Sequence, residues 1–216
     1  MRPLLMLLLA VPAAAERDCT PAQNRMIEAA LPDARKRLED AKLKVKGSDP
    51  AAAKAGRLTL GGGYNEKEVG AVLDLMSAAL ASPAMKCSEP ADKNCGNRAG
   101  YVRSDEKGVM HLCPKFFNQK PGEPGDPTPA EQRVRTVVHE SAHMAHPNIS
   151  EPAGESYCVV FTCEDSCGDG PYDPEQGKNI PARVADNWSQ FVHCASGQKP
   201  DEAGMIISAP PKKKKK

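Results

Sequence analysis

Apolar side chains in this sequence recur at steps of three and four residues, the spacing that brings them to one face of an α-helix. The first such stretch follows Thr20 and Pro21, a capping residue and a proline suited to the first helical turn. Its apolar positions are Ile27, Leu31, Ala34, Leu38, Ala41 and Val45. The pattern predicts a long helix up to Gly47, with a kink at Pro32 because proline cannot donate the helical hydrogen bond there.

A second helix is predicted to begin at Asn65, where Glu68 completes a capping box. Its apolar positions are Val69, Val72, Leu73, Met76 and Leu80. The residues between the two helices, 47–64, include the triplet Gly61-Gly62-Gly63, so we expect a loop or an irregular linker there. The triplet lacks the lysine and the spacing of a phosphate-binding loop.

Residues 99–113 contain two β-prone runs, GYVR and GVMHL, on either side of a turn at 104–108. They predict a small hairpin. The Pro- and Gly-rich run NQKPGEPGDPTP that follows predicts an exposed loop.

Three more helices are expected. Thr128 and Glu131 form a capping box for a helix with Val134, Val137, Val138 and Ala142 on its buried side. The others lie near 154–163 and 180–195, the last with Val184, Trp188, Phe191 and Val192 at helical spacing. The predicted fold class is therefore α+β, mainly helical with a small β-sheet, and the helix that follows Thr128 packs beneath that sheet.

Both ends of the chain differ from its middle. Residues 1–15 combine an early arginine, a short apolar run and small residues before Ala15, which predicts a cleaved signal peptide. The apolar run is too short to span a membrane. Residues 206–216 end in APPKKKKK and predict a disordered tail. The remaining residues, 16–205, suit a single domain, and we expect a secreted or periplasmic protein with no integral membrane span.

Net charge and cysteine content limit the classes of function that the protein can have. The 29 Lys+Arg and 28 Asp+Glu residues nearly cancel, so net charge predicts no nucleic-acid partner. Eight cysteines in an exported chain predict up to four disulfides. The sequence contains no Cys-x-x-Cys pair, so a zinc cluster held by cysteines is disfavoured. The eight cysteines are Cys19, Cys87, Cys95, Cys113, Cys158, Cys163, Cys167 and Cys194.

The segment HESAH contains the His-Glu-x-x-His pattern at His139, Glu140 and His143. Two histidines four apart on one helical face can bind a single Zn²⁺ ion, and a glutamate between them can act as the general base of a hydrolase. The pattern therefore predicts one catalytic zinc site.

A catalytic zinc usually takes a third protein ligand. His146 lies on the same helical face, but its Cα is about 10 Å along the helix from that of His139, which is too far for one ion. Two glutamates follow. We favour Glu155, which opens a helical run and would be held by it, over Glu151, which lies in a loop and stays the alternative.

Three ordered motifs resemble segments of the aspzincin metallopeptidases, the family of deuterolysin and the fungal peptidyl-Lys metalloendopeptidases. The motifs are AGYVRSDEKGVMHLCPKFF, RTVVHESAH and VADNWSQF. A cysteine before the first helix also fits, so the likeness spans most of residues 19–195. The chain is identified as a distant, bacterial-type member, which implies a zincin-like fold and zinc-dependent endopeptidase activity.

The sequence departs from that family at the third ligand. Family members carry Gly-Thr-x-Asp-x-x-Tyr-Gly, whereas this chain has Gly154-Glu155-Ser156-Tyr157-Cys158. Glutamate replaces the aspartate ligand, and its longer side chain can reach the metal from a shifted backbone. The resemblance also implies that Tyr157 stabilises the transition state; a tyrosine packed in the core is the alternative.

The resemblance further implies a substrate preference and two disulfides. Lys-specific members bind the substrate lysine through an aspartate and a glutamate, where this chain has Asp186 and Ser189. We expect a preference for Lys or Arg on the primed side of the cut; Asp186 as a helix-start residue or a support for a metal ligand is the alternative. The implied disulfides are Cys19–Cys87 and Cys95–Cys113, and the pairing of the other four cysteines stays open.

The sequence thus predicts a secreted, monomeric zinc metalloendopeptidase that acts on polypeptides. Two other functions stay open. Zinc with a carboxylate base also hydrolyses amides outside protein chains, and a disulfide-rich envelope or binding protein could retain the zinc site without catalysis.

Overall fold

The computed structural model describes residues 19–61, 63–121, 127–146, 148–149, 163 and 181–197. Within these residues the chain forms α-helices, one turn of 3₁₀-helix and a small sheet. In chain order the elements are α1 (Pro21–Lys46), α2 (Pro50–Leu60), α3 (Glu66–Ala81), β1 (Ala84–Cys87), β2 (Gly100–Val102), β3 (Val109–Leu112), α4 (Pro114–Phe117), α5 (Pro129–Ala145), a 3₁₀ turn (Pro181–Arg183) and α6 (Ala185–Ala195). The predicted fold class, α+β and mainly helical with a small sheet, is confirmed.

Helices α1 and α3 begin where their capping residues predict. Thr20 accepts a hydrogen bond from the backbone of Gln23, whose side chain accepts one from the Thr20 backbone in return. Asn65 accepts hydrogen bonds from the backbone N–H groups of Lys67 and Glu68. Pro32 lies inside α1, which continues on both sides of it.

The prediction of a loop over 47–64 is wrong, because α2 occupies most of it. Asp49 accepts hydrogen bonds from the backbone N–H groups of Ala51 and Ala52, and Pro50 occupies the first turn. The buried side of α2 consists largely of small residues, so it lacks the large apolar stripe that reveals a helix in sequence. Gly56 is needed there, since a Cβ at this position would lie 2.0 Å from the ring of Tyr64.

The sheet has the strand order β1-β3-β2. β2 and β3 pair antiparallel, which confirms the predicted hairpin, with Tyr101 opposite His111. β1 pairs parallel with β3, and the sequence analysis did not predict this strand. At the outer side of β2 the described residues place no further strand, so that edge of the sheet faces the cleft described below.

One apolar core connects α1, α3, α5 and α6. Fully buried side chains from each helix meet in it, among them Leu38, Leu73, Val137 and Phe191. Each such side chain contributes about 1.5–3 kcal/mol through burial. This core fixes α5, the helix that carries the zinc motif. Helix α5 also packs against β2, as predicted.

Disulfides join the helical part to the sheet and to the C-terminal helix. Cys19–Cys87 links the residue before the α1 cap to β1, and Cys95–Cys113 links the loop before β2 to the end of β3. Both confirm the expected pairings. Cys163 is bonded to Cys194 in α6. The predicted disulfide cysteines Cys158 and Cys167 lie outside the described residues.

Several other predictions also lie outside the described residues: the signal peptide at 1–15, all but the last residue of the helix at 154–163, and the tail at 206–216. None of the helices that the structure describes is both long enough and apolar enough to cross a membrane.

Candidate metal centre

The two histidines of the His-Glu-x-x-His motif converge on one point beside α5. Because they lie four residues apart in a helix, they project from the same face, one turn above the other. Their Nε2 atoms are 3.2 Å apart, and the ring planes are inclined by 73°. His139 is buried and His143 is half-buried.

Each imidazole is held from behind through its other nitrogen. Nδ1 of His139 lies 2.7 Å from Oδ1 of Asp186, and Nδ1 of His143 lies 3.0 Å from the carbonyl oxygen of Ile149. Both partners are acceptors, so each imidazole donates its Nδ1 proton and keeps a lone pair on Nε2. Both lone pairs thus belong to the nitrogens that face each other.

This arrangement fits a zinc ion. Zinc–nitrogen bonds of about 2.0–2.1 Å in tetrahedral geometry place two ligand nitrogens about 3.3 Å apart. The observed separation of 3.2 Å matches that spacing. Ligand atoms of His139, Glu140 and His143 all lie within 4.8 Å of one another, the one such group among the described residues. Backbone carbonyl and carboxylate partners for ligating histidines are the usual support of metal sites.

Glu140 lies against the backbone of β2. A Cβ added to Gly100 would lie 3.0 Å from both Cγ and Oε1 of Glu140. Any larger residue at position 100 would therefore displace the carboxylate of Glu140, a buried residue. Gly100 allows this close approach of a side chain to a strand.

A cleft of about 610 Å³ opens beside these residues. One wall is the outer edge of β2, and the other is the C-terminal half of α5 with Ile149. Its lining includes Arg98, Gly100, Tyr101, Val102, Arg103, Glu140, His143 and Met144. Glu140 and His143 therefore line a space large enough for an extended chain.

A buried charge network supports the start of α5. Thr128 accepts the backbone hydrogen bond of Glu131, as the capping box predicts, but the Glu131 carboxylate does not return to the Thr128 backbone. It accepts hydrogen bonds from Arg37 and Arg135 and lies 3.3 Å from Nδ1 of His193. Burial by itself raises the pKa of the Glu131 carboxyl, but the hydrogen bonds from His193, Arg37 and Arg135 outweigh it and lower the pKa well below its usual range.

The structure separates the predicted site residues into three groups. His139, Glu140 and His143 are together, and Asp186 lies directly behind His139. Ser189, proposed with Asp186 for lysine binding, is buried, and its hydroxyl donates to the carbonyl oxygen of Arg135. Glu155, Glu151 and Tyr157 lie outside the described residues, so their roles stay predictions.

The expectation that His146 lies on the same helical face as His139 is wrong, because α5 ends at Ala145 and the backbone of His146 is extended. Its Nδ1 accepts a hydrogen bond from the backbone of Asn148, and its side chain lines a separate apolar cavity beside Trp188.

Sequence reasoning missed two contributors to the site. Gly100 carries a usable signal, since a glycine within a predicted strand often marks a close backbone approach. The Ile149 carbonyl carries none, because every residue has a backbone oxygen. Its position depends on how the chain turns after α5.

No protein-family model and no curated protein sequence matches this chain. Among solved structures, a zinc peptidase from Grifola frondosa matches with a TM-score of 0.57 and 19% sequence identity. The match covers 81% of this chain and 96% of that chain. The two proteins share a fold. At this identity, the match shows the fold alone.

Proposed function

We propose that this protein is a zinc-dependent metalloendopeptidase. The observation that carries the proposal is the pair of Nε2 atoms 3.2 Å apart, each imidazole fixed through Nδ1, with Glu140 beside them in an open cleft. The fold shared with a zinc peptidase supports the same conclusion.

The metal would be held by His139 and His143, with a third ligand from the segment that follows α5. Glu155 is the proposed third ligand, and Glu151 is the alternative. When bound, zinc supplies Lewis acidity that activates water and polarises a peptide carbonyl.

Glu140 is the proposed general base. Its carboxylate accepts a proton from the attacking water and transfers that proton to the amine that leaves. Contact with Gly100 and burial hold the carboxylate in place, so little reorganisation is needed during the reaction. Tyr157 is proposed to stabilise the oxyanion through its hydroxyl.

The substrate is proposed to bind as an extended chain along the outer edge of β2. Among the described residues no strand pairs with that edge, and an open strand edge offers backbone N–H and C=O groups that a peptide can pair with. The cleft is open along that edge, which suits cleavage within a chain. A preference for Lys or Arg on the primed side is a separate proposal, and mapping the cleavage sites in a mixed peptide pool tests it.

We also propose that the protein is exported through cleavage of the signal peptide at 1–15, and that residues 16–205 form one domain that acts as a monomer. The disulfides support export, because such bonds persist in oxidising compartments.

The test is Glu140→Gln, with zinc content and cleavage of a denatured protein measured together. We expect the variant to keep its zinc and to lose at least about a hundredfold in cleavage rate, because the amide cannot accept the proton. A chelator should abolish cleavage by the wild type. Glu28→Gln, an exposed change on α1, is the matched control and should leave cleavage unchanged.

Two outcomes contradict the proposal. If the zinc-loaded wild type cleaves no protein but hydrolyses small acyl amides, the chain is a zinc amidase. If it cleaves neither, and Glu140→Gln alters nothing measurable, a binding protein is the better description.

A further inference from the structure

Helices α5 and α6 run antiparallel and are joined by a row of polar contacts, one for each helical turn. On α5 the contacting residues are four apart, and on α6 they are four and three apart. The pairs are Asp186–His139, Gln190–Arg135 and His193–Glu131, at 2.7, 3.1 and 3.3 Å. We call this row the α5–α6 polar ladder.

The ladder fixes the register of α6 on α5. Its members are buried or nearly so, with exposed side-chain fractions of 13% for Asp186 and 10% for His139. Sliding α6 by one turn would leave several buried polar groups without partners, at about 1–3 kcal/mol each. The register therefore delivers the Asp186 carboxylate to the back of His139.

We propose that Asp186 is a positioning residue that orients His139 for the metal. This inference rests on the proposed zinc site. An ionised carboxylate only accepts hydrogen bonds, so it holds the proton of His139 on Nδ1 and leaves the Nε2 lone pair directed towards His143. It also makes the imidazole a stronger ligand.

Ser189 supports this assignment. Its hydroxyl donates to the carbonyl oxygen of Arg135 at 3.1 Å, and its side chain is buried. It is therefore part of the joint between the two helices. Asp186, one turn earlier on α6, belongs to the same joint.

The first experiment measures zinc affinity without substrate, by competition between the full, disulfide-bonded chain and a zinc chelator. Asp186→Asn is expected to weaken zinc binding by about 10–100-fold. Asp33→Asn, an exposed carboxylate change on α1, should leave the affinity unchanged. Ser189→Ala is a second control: it removes another α6–α5 contact without touching His139, and should also leave zinc affinity unchanged.

The second experiment reads the protonated nitrogen of His139 directly, by long-range ¹H–¹⁵N spectra of the folded, zinc-free protein. The wild type should carry the proton on Nδ1. In Asp186→Asn the side-chain amide can present its N–H₂ group, so a measurable fraction of His139 should carry the proton on Nε2. Folding of each variant is checked in the same spectra.

The outcomes separate this inference from the proposed function. Unchanged zinc affinity and an unchanged proton position in Asp186→Asn overturn the inference, and altered cleavage sites alone would then assign Asp186 to substrate binding. If the zinc-loaded wild type cleaves nothing, the peptidase proposal fails, while a loss of zinc affinity in Asp186→Asn still supports the inference. If the wild type binds no zinc, both the proposed function and this inference fail.

Discussion

At the scale of single residues, some groups of the site can be recognised from a sequence motif and others cannot. His139, Glu140 and His143 are recognisable because their spacing within one helix already sets their geometry. Gly100 and Asp186 come from other elements, and only packing brings them to the zinc motif. Their partners could not be read from spacing, because no local pattern connects a strand or a later helix to α5.

Gly100→Ala tests the contact with Glu140. The new Cβ would lie 3.0 Å from Cγ and Oε1 of Glu140, so the carboxylate must shift by a few tenths of an ångström. We expect the turnover number to fall by about tenfold or more, because small displacements of a reacting group are costly. Zinc affinity should change little, since both histidines stay in place.

The matched control for that change is Gly70→Ala on α3. A Cβ there meets only Val45 Cγ1 at 3.9 Å, an ordinary contact. Its activity should equal that of the wild type. Full activity in Gly100→Ala would mean that Glu140 does not need its observed position.

At the scale of elements, helix caps and apolar stripes predicted α1, α3, α5 and α6, because each signal is contained within one element. Helix α2 was not predicted, because its buried side consists largely of small residues and forms no large apolar stripe. The Thr128–Glu131 capping box was half right. The Glu131 carboxylate instead accepts hydrogen bonds from the buried Arg37 and Arg135. The sequence around α5 does not reveal these partners.

Glu131 gives the fold a defined pH dependence. Its pKa in the folded protein is lowered from the ordinary value of 4.5, so its stabilising contribution is fully present above that pH. Below about pH 4.5 the unfolded chain takes up a proton that the folded chain does not. The wild type should then lose about 1.4 kcal/mol of unfolding free energy per pH unit from this carboxyl.

Urea unfolding of Glu131→Gln with chelator present checks this. At pH 7 the variant should be less stable by about 3 kcal/mol or more, because two buried arginines lose their counter-charge. The difference from the wild type should shrink as the pH falls below 4.5. A difference that stays constant with pH would contradict the lowered pKa.

At the scale of the whole molecule, disulfides tie distant segments to a core that the helices build. The Cys163–Cys194 bond spans a sequence separation of 31 residues and anchors Cys163 to α6, the helix that also supports His139. In the chain-entropy account, closing a loop of this size contributes about 3–4 kcal/mol.

Replacing both Cys163 and Cys194 with alanine should therefore lower the unfolding free energy by about that amount, measured by denaturant titration of the zinc-free protein. Unfolding at an unchanged denaturant midpoint would show that this bond does not constrain the unfolded chain as expected. Adding a reductant to the wild type should destabilise it at least as much, since the other disulfides open as well.

The sequence by itself determined what depends on spacing within one element: the capped helices, the hairpin, and two histidines on one face of α5 with a glutamate between them. The tertiary structure decided what depends on register between elements. The polar ladder places Asp186 behind His139, and β2 brings Gly100 against Glu140. The physical reason is that helical geometry sets distances within an element, whereas contacts between elements follow from how buried surfaces pack.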